Sequence, residues 1–138
     1  MEPSFSVSQW YLGLAEEQLG HYQAAIAQFQ ECVRLTGERP QMVALLGHAY
    51  AAANQKREAR EILRQLDAVS KHRYVSSYPI ALIHAALGEN HEALARLDQA
   101  YEERDAWMTY LGIDPRLDGL RSDPRLAGLL RRMSLDHQ

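Results

Sequence analysis

The apolar positions along this chain follow two rhythms at once. Over spans of about fifteen residues they keep helical spacing. Tyr22, Ala25, Ile26, Phe29, Cys32 and Val33 recur at i, i+3, i+4, i+7, i+10 and i+11, which places them on one face of a helix. Leu12, Ala15 and Leu19 share a face of a preceding helix, and Gly20-His21 breaks the pattern between the two. The same double stripe then returns. Met42, Leu45, Leu46, Ala49, Tyr50 and Ala53 lead to a turn at Asn54-Gln55, followed by Ala59, Ile62, Leu63 and Leu66. Ile80, Ile83 and Leu87 lead to a turn at Gly88-Glu89, followed by Ala93, Leu94, Leu97 and Ala100. This predicts six helices in three hairpins. No run of Val, Ile and Thr with period two competes with them, so little or no sheet is expected.

The longer rhythm is a repeat of 34 residues that needs no gaps. It carries Leu12-Gly13 onto Leu46-Gly47, Gly20 onto Asn54 and Gly88, Ala25 onto Ala59 and Ala93, and Phe29 onto Leu63 and Leu97. Gly20, Asn54 and Gly88 fall where each first helix ends, a site that favours the left-handed backbone Gly and Asn tolerate. Gly13 and Gly47 fall inside first helices, where glycine costs about 1 kcal/mol relative to alanine. Ala25, Ala59 and Ala93 fall inside the second helices, and small residues on both sides let two antiparallel helices approach closely.

This pattern resembles the tetratricopeptide repeat: an aromatic near the start, Leu-Gly, an aromatic three residues on, then an alanine and a large apolar residue four later. Trp10 stands one place after the family's tryptophan, and Tyr50 alone keeps the next aromatic, with Glu16 and His84 at its counterparts. The resemblance implies an all-α fold: an α-solenoid of three repeats, about 5–38, 39–72 and 73–104, followed by a short C-terminal helical cap over 105–138. Pro3 lies 34 residues before Gly37, which stands where the family has proline. The N-terminus therefore reads as the end of an earlier repeat, and the chain as the C-terminal piece of a longer protein.

After Arg104 the register fails. The tail echoes itself, Asp114-Pro115-Arg116-Leu117 and Asp123-Pro124-Arg125-Leu126. Asp-Pro reads as an N-cap with proline at the first helical position. Short helices are expected near 106–111 and 115–120, and a longer one near 124–133. The helix at Pro79 to Leu87 is apolar nearly all round, as for a helix buried on several sides. The tail is expected to fold against it, through Trp107, Leu111, Leu117, Leu120, Leu126, Leu129 and Leu130. It resembles the ends of repeat arrays in some bacterial signalling and regulatory proteins. No such cover is evident at the N-terminal end, where self-association into a homodimer is the expectation.

Composition narrows the chemistry. A net charge of −3 argues against a nucleic-acid partner. Cys32 is the single cysteine, so no internal disulfide forms, and a reducing, cytoplasmic setting is expected. No apolar run reaches the roughly 18 residues of a membrane span. Six histidines show no metal-ligand spacing, Glu16-Glu17 diverge by about 100° on a helix, and no nucleotide loop or nucleophile set is present. We expect no catalytic residue, no metal and no cofactor.

What remains is a surface. In the resembled family, first helices line a concave groove that holds a peptide or partner helix. Carried over, the lining would be Val7, Trp10, Leu14, Glu17 and Gln18 from the first repeat. Gln41, Ala44 and His48 would follow from the second, and Val75, Tyr78 and Leu82 from the third. The leading expectation is a protein–protein interaction scaffold with a mostly apolar groove. The alternative is a capping or dimerisation module of a larger regulatory chain, its groove filled by its own tail. Residues 112–138 lying over Tyr78 would favour the second reading.

Overall fold

The structure is a computed structural model, and it describes residues 3–37, 39–105, 108, 111–112 and 114–136. Regular structure among these residues is entirely helical. The first six helices are α1 (Pro3–Gln18), α2 (Tyr22–Thr36), α3 (Pro40–Ala52), α4 (Lys56–Ser70), α5 (Ser77–Ala86) and α6 (Asn90–Glu102). A 3-10 helix, Pro115–Leu120, and α7 (Pro124–Asp136) follow. The chain divides into two compact units, Met1–Val75 and Ser76–Gln138.

In the first unit α1 packs on α2, α2 on α3, and α3 on α4. With a helix on either side, α3 buries Val43 to Ala49 without interruption. In contrast, α2 and α4 bury single stripes: Ala25, Ile26, Phe29 and Cys32 on one, Ala59, Ile62 and Leu66 on the other. Gly13 explains its own presence. A Cβ there would lie 2.6 Å from Cε1 of the fully buried Phe29, so α1 and α2 reach this distance only without a side chain at that point. Leu63, in register with Phe29, is only half-buried.

Each hairpin turns in the same way. Gly20, Asn54 and Gly88 have φ of +81°, +64° and +79°. The amide of the next residue donates back to the carbonyl five residues earlier, His21 to Glu16 (2.8 Å), Gln55 to Tyr50 (2.8 Å) and Glu89 to His84 (2.9 Å). A second amide closes the loop inside it, as from Gly20 to Glu17 (3.0 Å). These paired bonds satisfy carbonyls that the helix end would leave open. The carbonyls of His21, Gln55 and Glu89 then accept from the amides of Ala25, Ala59 and Ala93, which lie in the first turns of the second helices and are fully buried.

The second unit holds the α5–α6 hairpin and the tail. Pro79 sits in the first turn of α5, where no intrahelical amide bond is lost. Both Asp-Pro sequences start helices. Asp114 Oδ1 accepts the Arg116 amide at 3.0 Å, and Asp123 Oδ1 accepts that of Arg125 at 2.9 Å. The 3-10 helix packs on α5 and α7 on α6. Leu111, Leu117, Leu120, Leu126 and Leu129 join Tyr78, Leu82, Leu94 and Leu97 in one core. The short helix expected near 106–111, with Trp107, lies mostly outside the described residues.

Candidate functional site

The first-helix positions fall into two sets, one in each unit. On α1, the side chains of Val7 and Trp10 are outside the described ones; Leu14 is half-buried and Gln18 exposed. On α3, Gln41 is exposed and Ala44 buried. The structure brings Glu17 and His48 together: the Glu17 carboxylate meets His48 Nδ1 as an ion pair, and both side chains are buried. Apart from this contact, neither Glu17 carboxylate oxygen nor His48 Nδ1 has a hydrogen-bond partner among the described residues. The pair joins α1 to α3 directly, and each group is what makes burial of the other tolerable.

In the second unit the corresponding positions are filled. Tyr78 is 1% exposed, and its hydroxyl donates to Asp114 Oδ2 at 2.7 Å. Arg116 grips the same carboxylate with Nε (3.0 Å) and Nη2 (2.9 Å). Arg121 ties the surrounding backbone by donating to the carbonyls of Leu111 (2.9 Å) and Asp114 (2.8 Å). Burial by itself would raise the Asp114 carboxyl. The hydrogen bonds and charge of Arg116, with the Tyr78 hydroxyl, outweigh it and hold Asp114 below the usual carboxylate value. Burial first, then the bond to Asp114 and its charge, push the Tyr78 hydroxyl well above that of an ordinary tyrosine. Leu82 is buried in the same core, while Val75, at the end of the first unit, is half-buried.

These hairpins, their identical left-handed turns and the small residues between helices are the features that a family assignment must match. Residues 17–76 match the family model of the tetratricopeptide repeat. The match runs from the last turn of α1 through α2, α3 and α4, so this part of the chain is similar to the tetratricopeptide repeat, and the described helices are consistent with an all-α helical-repeat fold. Tetratricopeptide repeats are protein-interaction modules. No curated protein and no solved structure matches the chain.

One feature of the repeats and one of the tail escaped sequence reasoning. Glu16 and His84 occupy the same repeat position, and each bonds the residue five places on: Glu16 to His21 Nδ1 (2.8 Å), His84 Nδ1 to Glu89 (2.9 Å). Acid and base are exchanged between the two repeats, and the pair spans the turn each time. In the middle repeat Tyr50 instead accepts from Gln30 at 3.0 Å. The reversed spacing of five was the available signal. Asp114 was the second omission, because its Asp-Pro setting explains it fully as a cap and hides its bond to Tyr78.

The remaining chemistry is sparse. Burial and the neighbouring Glu31 push the buried Cys32 thiol above its ordinary value, which disfavours the nucleophilic thiolate. Among the described residues no group of three or more His, Cys, Asp or Glu is placed to hold a metal ion, and no helix is long and apolar enough to cross a membrane. A cleft of about 430 Å³ between α6 and α7 is floored by Leu94 and Leu129. Its two guanidinium groups are already engaged, Arg125 with Asp123 and His91, Arg132 with Asp98 and the face of Tyr101.

Proposed function

We propose that this chain is a non-catalytic protein-interaction module whose last hairpin is finished by its own tail. The first-helix positions of α1 and α3 are then the surface offered to a peptide or partner protein. The seat of Tyr78 on Asp114 favours the capping alternative for the last hairpin, while the interaction reading is carried by the exposure of Gln18 on α1 and Gln41 on α3. Exposed glutamines can both donate to and accept from an extended backbone, and half-buried Leu14, one turn before Gln18, supplies apolar contact. Helices fixed against one another in the first unit would present these groups with little further ordering cost.

The test uses peptides selected against the intact chain from a displayed random library, with affinity read by fluorescence anisotropy. Gln18→Arg combined with Gln41→Arg alters only exposed side chains, and is expected to weaken binding by about tenfold or more. Tyr78→Phe is expected to leave affinity within about twofold. Binding indifferent to the glutamines but lost with Tyr78→Phe would overturn the reading.

A further inference from the structure

Three cations recur at even spacing along the outer side of α4. Arg57, Arg64 and Lys71 stand seven residues apart, and all three are exposed. Seven residues make almost two full turns, so the three fall within about 40° of one another, about 10 Å apart along the axis. They lie opposite the stripe of Ala59, Ile62 and Leu66 that α4 buries. Arg60, also exposed, lies beside the line. The acids of α4, Glu58, Glu61 and Asp67, fall about 60° or more away from it. Arg64 bonds Glu61 through Nε and Nη2, which occupies part of its donor set in an exposed pair of the kind that adds little to stability. The line is peculiar to this repeat. In register with it stand Gln23, Gln30 and Gly37 in the repeat before and His91, Asp98 and Asp105 in the repeat after.

We propose that this line is a docking surface for an acidic helix of a partner protein, one that carries carboxylates seven residues apart. The second unit shows the form of such a contact. There α6 presents His91 and Asp98, in register with Arg57 and Arg64, and α7 presents Arg125 and Arg132, also seven apart. Arg125 donates to His91 Nδ1 at 3.0 Å, and Arg132 pairs with Asp98. Two helices thus meet through charged groups matched at one spacing. On α4 the residues are cations, so the complement is a line of Asp or Glu. The flanking acids and the net charge of −3 disfavour a broad polyanion such as duplex nucleic acid or an anionic bilayer. A single helix is narrow enough to meet the cations alone, and charges farther off than a Debye length of about 8 Å are largely screened. This surface belongs to α4 rather than to the first helices, and it goes beyond the groove reading.

Fluorescence anisotropy of the intact chain tests this with a labelled helical peptide whose glutamates stand at i, i+7 and i+14 in an alanine and glutamine background. The comparison is a permuted peptide of the same composition, its glutamates spread round the helix. The first is expected to bind about fivefold or more tightly than the second, and to lose about tenfold in affinity from low to physiological salt. Arg57→Gln combined with Lys71→Gln alters exposed side chains and is expected to weaken binding by about tenfold, with circular dichroism unchanged. Arg34→Gln combined with Arg131→Gln removes the same charge from exposed positions elsewhere, and should change affinity by less than about twofold. No binding, equal binding of the two peptides, or equal loss in the two double variants would overturn the proposal. So would a DNA duplex or phosphatidylserine vesicles that bind more tightly than the peptide and depend on Arg57 and Lys71. The groove reading is decided by Gln18 and Gln41 with library-selected peptides, so the two fail separately.

Discussion

At the scale of single residues, Gly13 and the Glu17–His48 pair do the most specific work. The Phe29 ring meets any side chain added at Gly13, and being fully buried it cannot swing away. Gly13→Ala is therefore expected to lower stability by about 1–3 kcal/mol despite alanine's better helix propensity. Gly119→Ala, where a Cβ meets nothing within 4 Å, is the control and should cost far less. Urea unfolding of both variants checks this. Glu17→Leu or His48→Leu alone leaves a buried ionisable partner and is expected to cost about 3–5 kcal/mol. The double variant should recover much of the loss, giving a large coupling energy in a double-mutant cycle. Additive losses would show that the two groups are not energetically paired. Gly13 was legible as a spacer from the repeat register, but its partner was not: small residues were expected on both sides, and the Phe29 ring stands against it. The Glu17–His48 contact was not, because helical spacing gives the face a residue is on and not which atom stands across from it.

At the scale of elements, the turns and caps are nearly all local chemistry. The left-handed residue is glycine at 20 and 88 but asparagine at 54. Asn54→Gly is expected to be neutral or slightly stabilising, while Asn54→Ala should cost about 1 kcal/mol, since an alanine side chain is strained there. Thermal melts that rank alanine above glycine at this position would contradict the assignment. The six hairpin helices, the 3-10 helix and the start of α7 were legible for the same reason: periodicity, Gly or Asn caps and Asp-Pro signals act within a few residues. The face of α1 was not. Leu12, Ala15 and Leu19 read as a packing stripe like that of the later repeats, yet they are exposed, because the stripe has no covering helix among the described residues.

For the molecule as a whole, pH reports on how the tail is fastened in the second unit. Asp114 titrates below the ordinary carboxylate value in the fold, so its contribution is present above the unfolded value of about 4 and lost as pH falls through its lowered folded value. Tyr78 titrates far above an ordinary tyrosine. Its contribution is complete below the unfolded value of about 10, and declines as pH rises beyond that toward its raised folded value. The Asp114→Asn variant should lose stability relative to wild type at neutral pH, by on the order of 2 kcal/mol, with the difference shrinking in acid. Tyr78→Phe should differ from wild type at neutral pH and converge on it in alkali. Urea midpoints measured across pH check both; differences that stay constant with pH would refute the linkage.

The amino-acid sequence by itself determined the helices, their pairing into hairpins, the turn residues and the repeat of 34, because each rests on local backbone preference and on which positions share a face. Tertiary structure alone decided what stands opposite each face. It closed Tyr78 onto Asp114, joined Glu17 to His48 across two helices and left the α1 stripe uncovered. Those outcomes depend on contacts between residues distant along the chain, where equal patterns meet unequal surroundings.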